Sequence, residues 1–437
     1  MITLNVTFFL LHLIFRSILH NIDFQYIHFT ELAVTYVTTI IHLNFIWFLT
    51  LMYISMIIII TQTLKRLWSL TTSHILVIAQ LSIFISICLL HILNDLIPFL
   101  IFFEAILFFI LIIQFVYTFS NKYLNALLFV IYFSIISGLF CILIITANLL
   151  IFGGFHILSI SDTVLLTGTS LHIILVFGIF ISFGIKYPIY PFYVWLLTVH
   201  VEVSTEASIL LAAVILKAGF IGLLKFLLLP SYPLLNILTI FLHIATIIGL
   251  LLATIKLLTI LDIKRIIALW SIAHVNISLL STNLNNIGFL YIFILSNLGH
   301  ILSSTSFFFL FGLLYELRNS KNVLTLHNLP SFNIIQATLF VLCLNNIDFP
   351  GFLLFFTEVL QYVTFIFINS YLILILYFIL LLLFLSTFGI MLLLTNVNSK
   401  FFSNYIRSIC TITESFQLTT LQFLAITLLF SHDIIYA

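Results

Sequence analysis

The sequence predicts an all-α polytopic membrane protein with about 13 transmembrane helices, two of them broken. Three observations carry this. Hydrophobic residues make up 63% and charged residues 6% of the 437 positions, too little polar surface to cover a water-soluble globule. The apolar runs reach 20 or more residues, long enough to cross a bilayer as helices, and they do not alternate over about 10 residues as barrel strands do. Two of these runs are interrupted near their middles by proline, glycine and polar residues, one in each half of the chain.

The spans fall near 1–20, 37–61, 73–93, 96–118, 123–148, 169–195, 205–229, 233–257, 264–281, 285–315, 332–369, 371–396 and 416–431. The first holds only Arg16. It lacks the basic start and small-residue cleavage site of a signal peptide and the Arg/Ser-rich pattern of a transit peptide, so it reads as a membrane helix. In 169–195, Pro188 and Pro191 follow Lys186 and break the helix. The run 332–369 is too long for one straight crossing, and Asn345, Asn346, Asp348, Pro350 and Gly351 near its centre make it the second broken helix. One break in each half is the pattern of internally repeated transporters with sites at the breaks. The expected division is N-terminal helices 1–72, a first half 73–230, a second half 231–370 and C-terminal helices 371–437.

With the spans alternating, Lys65, Arg66, Lys122, Lys256, Lys264, Arg265, Arg318, Lys321, Lys400 and Arg407 fall at or near connections on one side, and only Arg16 and Lys225 fall toward the other. The basic side is therefore the cytoplasm, or the matrix of a mitochondrion, with the N-terminus inside and the C-terminus outside.

Charges inside the spans are the functional candidates, because an ionised group at bilayer depth is costly unless paired, hydrated or neutralised. Glu104 sits in FLIFFEAILFFILII, and reads either as a protonated carboxyl bonded between helices or as a partner for a lysine. Lys186 and Lys217 lie well inside their spans; snorkelling to an interface is the alternative, and it suits Lys225 near its helix end better. Glu358 follows the second break, with the same two readings as Glu104. His274 and His300, single histidines in consecutive apolar spans, are either packed core groups or members of a hydrated proton path. A Glu and a Lys that approach and separate exchange protons with their surroundings, which is the chemistry of a proton or ion conductor.

Other chemistries find no support. The net charge of +1 offers no face for nucleic acid. Cys88, Cys141, Cys343 and Cys410 are scattered without paired spacing and read as packing residues. No H-E-x-x-H, P-loop, G-x-G-x-x-G or paired-cysteine signature occurs, so neither a metal nor a cofactor is expected. The 49 Phe, with abundant Ile, Leu, Asn and Tyr and only 14 Gly, suggest an AT-rich coding sequence of the kind found in organellar genomes.

Several stretches resemble NADH dehydrogenase subunit 4, the antiporter-like family in the membrane arm of respiratory complex I. They are FFEA at 102–105, KYPIYPFYVWL at 186–196, HVE at 200–202 followed by ASILLAAVILKAGF, DIKRIIALWSIAHVNISLL at 262–280, SNLGHILSSTSFFFLFGLLYELRNSK at 296–321 and DFPGFLLFFTEVL at 348–360. Together they cover roughly 73–370. Their order, and the 31 residues from Lys186 to Lys217, agree with the family. The related subunit 5 has histidine where Lys217 stands and lysine where Glu358 stands, and subunit 2 has lysine for the terminal acid. The usual W-L-P-K reads here as WLLT at 195–198, and H-V-E-A-P becomes HVEVS with an extra acid at Glu206, which removes two prolines from the exit of the broken helix. The chain is also one N-terminal span short of the family's fourteen.

The resemblance implies an inverted-repeat, antiporter-like architecture and a proton-translocating subunit of NADH:ubiquinone oxidoreductase. A proton would pass through a half-channel from the matrix side to Lys186 and Lys217, then laterally past His274 and His300 to Glu358, with Glu104 modulating Lys186. Electron transfer would occur in other subunits, since this sequence shows no redox centre. The implied partners are other membrane-arm subunits, including neighbouring antiporter-like ones, and lipid; the implied location is the mitochondrial inner membrane, with organellar encoding. Two alternatives stay open: a subunit of a multisubunit cation/proton antiporter, and an architectural membrane spacer.

Overall fold

The computed structural model describes residues 70–117, 121–152, 154, 169–227, 232–280, 287–318, 320–323, 333–368, 381–387 and 389. The expected spans 1–20, 37–61 and 416–431, most of 371–396, and with them Arg16, Lys65, Arg66, Lys400, Arg407 and Cys410, lie outside the described residues. Those described are nearly all helical. Among them no strand occurs, and a bridge pairs Asp262 with Asn322.

The helices are α1 (Leu70–Ile92), α2 (Leu96–Tyr117), α3 (Asn121–Phe152), α4 (Thr169–Lys186), α5 (Val194–Glu202), α6 (Thr205–Leu210), a π-helical turn (Leu211–Ile215), α7 (Leu216–Leu227), α8 (Tyr232–Leu257), α9 (Ile263–Leu280), α10 (Ile287–Arg318), α11 (Asn333–Asn346) and α12 (Leu353–Ile368). Among the described residues, seven stretches are long and apolar enough to cross a membrane: one in each of α1, α2, α3, α8, α9 and α10, and one running from α6 through the π turn into α7. The chain is thus a multi-pass helical membrane protein. Both expected breaks are present, between α4 and α5 and between α11 and α12.

Burial sorts these helices into centre and periphery. The α6–α7 stretch is 100% buried and α9 and α10 each 94%, against 39%, 33% and 33% for α1, α2 and α3. The outer helices present Ile78, Phe108 and Leu150 outward, an apolar surface suited to lipid. The three central helices carry Lys217, His274 and His300, so the apolar rim shields a polar middle.

Local sequence explains the helix starts. Asp262 Oδ1 accepts from the amides of Lys264 at 3.0 Å and Arg265 at 3.3 Å, capping α9. Ser204 Oγ accepts from Ala207 N at 3.4 Å and opens α6. Ser204, at one of the two positions where the family pattern has proline, is thus the cap of α6, with Val203 in extended conformation between α5 and α6. The carbonyls left at the end of α5 are held by cations: Lys264 Nζ donates to Val203 O and Lys321 Nζ to Val201 O, both at 2.6 Å.

Candidate functional site

The first cluster forms where α4 ends. Pro188 supplies no amide hydrogen, and the chain turns with Tyr187 N bonding Phe183 O at 2.7 Å and Ile189 N bonding Gly184 O at 3.0 Å. The freed Ile185 carbonyl accepts from Trp195 Nε1 at 2.9 Å. Lys186, in the last turn of α4, is placed where the helix dipole favours a cation. Its Nζ lies 3.1 Å from Glu104 Oε1, donates to Phe103 O at 2.5 Å and sits 3.4 Å from the centre of the Phe103 ring. Ser137 Oγ reaches Glu104 Oε1 at 3.5 Å, and Gly138 packs beside the same carboxyl.

The second cluster surrounds Lys217, near the start of α7 and 0% exposed. Its Nζ donates to Asn297 Oδ1 at 2.9 Å and lies 3.2 Å from His300 Nδ1. Asn297 Oδ1 also accepts from Tyr187 Oη at 3.0 Å, and Tyr187 Oη shares a 2.8 Å hydrogen bond with Ser278 Oγ. Tyr187 directly follows Lys186, so the first break touches this cluster too. The approach depends on Gly219, where an added Cβ would stand 2.4 Å from the Tyr187 amide nitrogen.

The third cluster joins the second break to α9. His274 Nδ1 lies 3.1 Å from Glu358 Oε1, and its Nε2 lies 3.0 Å from Asn346 Oδ1. The turn is made by Asp348, with φ of 57°, and Gly351, with φ of 108°. On α10, Gly299 admits Leu354 of α12 within 2.8 Å of where a Cβ would be, which seats the Glu358 helix beside His300. The two imidazoles are within electrostatic range of one another.

All six residues singled out in the sequence are therefore placed in three neighbouring clusters. Glu104 pairs with Lys186, Lys217 meets His300, and His274 meets Glu358. Lys186 and Lys217 are 3% and 0% exposed, so neither snorkels. Lys225 does reach an end, bonding Leu93 O beyond α1 and Asn94 Oδ1. Sequence reasoning missed Tyr187, Ser278 and Asn297, since neutral polar residues on apolar helices carry no signal of their own. It also missed His200, stacked on Phe308 at 4.7 Å, with neither ring nitrogen hydrogen-bonded among the described residues.

Residues 94–389 match the family described as NADH:quinone oxidoreductase/Mrp antiporter, TM. The chain belongs to this family. All six candidate residues fall inside the match, which begins later than the expected 73 and continues past 370. Among curated relatives, NADH-ubiquinone oxidoreductase chain 4 of Acanthamoeba castellanii is 30% identical over 269 residues, covering 59% of this chain and 52% of that one. Chain 4 of Arabidopsis thaliana shows the same identity and coverage. NADH-quinone oxidoreductase subunit M of Rickettsia typhi is 32% identical over 266 residues, with 59% and 52% covered. The chain thus spans about half the length of the curated relatives it matches. A chain of the membrane-bound sulfane sulfur reductase, an archaeal respiratory membrane complex, shares the fold with a TM-score of 0.73 at 14% identity, over 87% of this chain and 79% of that one.

Proposed function

We propose that this member of the family is a proton-translocating membrane-arm subunit of an NADH:ubiquinone oxidoreductase. The observation that carries the reading is the series of buried polar groups from Lys186 through Tyr187, Asn297, Lys217 and His300 to His274 and Glu358. A proton arriving at Lys217 is handed to His300 Nδ1, passes across to His274 and leaves by Glu358. Lys186 governs that exchange through Glu104: when the pair is closed, the ammonium is neutralised and Lys217 feels less repulsion, and when it opens, the proton on Lys217 is driven onward. Electron transfer in other subunits supplies the energy.

The halves 73–230 and 231–370 each supply one broken helix to this series, flanked by 1–72 and 371–437. The partners are neighbouring antiporter-like subunits and lipid, in the mitochondrial inner membrane, and the chain is encoded in the organelle. The eukaryotic relatives named NADH-ubiquinone oxidoreductase chain 4 support the inner-membrane placement. A second reading, a subunit of a cation/proton antiporter, is supported by the family description, which covers both.

Lys217→Ala in the assembled membrane enzyme tests the proposal. The expected result is fewer protons moved per NADH oxidised with assembly preserved; unchanged proton stoichiometry in an assembled enzyme refutes it.

A further inference from the structure

We infer that His274, Asp348 and Glu358 form a binding site for a divalent cation of the zinc class. They come from three separate elements, α9, the second break and α12, yet one donor atom from each lies within 4.8 Å of the others. The chemistry around them is that of a ligand set. Asn346 Oδ1 can only accept, so its 3.0 Å contact with His274 Nε2 fixes the ring proton there and turns the Nδ1 lone pair toward Glu358. A carbonyl-type acceptor behind one imidazole nitrogen is the arrangement that orients metal-binding histidines.

Two further atoms await a ligand. Asp348 Oδ1 and Asn346 Nδ2 have no hydrogen-bond partner among the described residues, and Asn346, bonded to His274 through its Oδ1, is only 5% exposed. The first suits a metal, and the second suits a water or hydroxide held by that metal. The charge also balances. Asp348 and Glu358 interact directly, and two carboxylates in contact within a membrane require protons or a cation between them. A divalent ion with two carboxylates and a neutral imidazole is electroneutral, and its binding displaces whatever carboxyl protons the pair holds.

Nitrogen and oxygen donors in a three-residue set fit zinc better than magnesium, which demands near-octahedral oxygen ligation. Ligands at about 2.0 Å in tetrahedral geometry stand about 3.3 Å apart, close to the 3.1 Å between His274 and Glu358. Asp348 closes the remaining gap from a turn that is itself accessible, since Phe349, Pro350 and Gly351 are exposed. A bound ion would remove His274 Nδ1 and Glu358 from proton exchange; this consequence alone rests on the function proposed above.

The test uses the purified, assembled membrane enzyme, stripped with a chelator and titrated with zinc chloride. Bound zinc per enzyme is counted for wild type, Asp348→Asn and Asp348→Glu. Wild type and Asp348→Glu should hold one more zinc than Asp348→Asn, or hold it at free zinc concentrations at least about tenfold lower. Asp348→Glu keeps a carboxylate and so separates loss of the ligand from disturbance of the turn. Equal zinc binding in wild type and Asp348→Asn overturns the site. If the extra zinc binds and proton pumping is unaffected, the site stands and the proton-path reading fails.

Discussion

Replacing Gly219 by alanine should disturb the contact on which both lysine clusters depend. The added Cβ would meet the Tyr187 amide nitrogen at 2.4 Å, the Tyr187 Cβ at 2.8 Å and the Lys186 carbonyl carbon at 2.9 Å. Ordinary contact between such atoms is about 3.5 Å, so α4's end must retreat from α7 by about 1 Å. Two of the three obstructing atoms are backbone, which no rotamer change can clear. Overpacking of this kind costs about 1–3 kcal/mol.

The displaced residues are Lys186 and Tyr187 themselves. Their contacts with Glu104 at 3.1 Å and Asn297 at 3.0 Å leave little slack, and each hydrogen bond lost adds about 1 kcal/mol. The assay is thermal stability of the assembled enzyme together with protons moved per NADH, with Gly389→Ala as the control, since a Cβ there meets nothing within 4 Å among the described residues. Both quantities should fall for Gly219→Ala and hold for the control. A Gly219→Ala enzyme with wild-type stability and stoichiometry would refute the idea that this contact sets the geometry of the first break.

Two other substitutions separate packing from charge. Asn297→Leu removes the acceptor shared by Lys217 and Tyr187, leaving a buried ammonium short of one partner; a loss of about 2–4 kcal/mol in stability is expected, and Asn297→Asp should restore much of it. Glu104→Gln keeps an acceptor for Lys186 but removes the charge, so assembly measured on native gels should be unchanged while pumping slows several-fold.

How much of this was legible in the sequence depended on how strongly each residue type is punished by its surroundings. Pro188, Pro191, Pro350 and Gly351 announce their breaks because few alternatives tolerate the backbone they impose. Lys186, Lys217 and Glu358 stand out because a charge in an apolar run is expensive. The π turn at Leu211–Ile215 was invisible, since LAAVI favours an ordinary helix and only packing tells otherwise. Asp348 was legible as part of a break, but not as a neighbour of His274, because 74 positions separate them and only the fold joins them. Lys264 and Lys321 were read as markers of membrane sidedness; Lys264 stands in the first turn of α9 and Lys321 in the connection after α10, and nothing in the sequence hinted that they reach back to carbonyls at the end of α5.

Those two lysines bear on how this protein can change over generations. The end of α5 is completed by side chains that arrive some 60 and 120 positions later in the chain. Proline at Ser204 would remove the hydroxyl that opens α6 and add no donor of its own, so it would relieve neither cation, and loss of Lys264 would strand the Val203 carbonyl. The end of α5 and the later segment are thus inherited together, and a hybrid that borrows residues 262–321 from a relative lacking these lysines would leave the Val201 and Val203 carbonyls without the donors that hold them here.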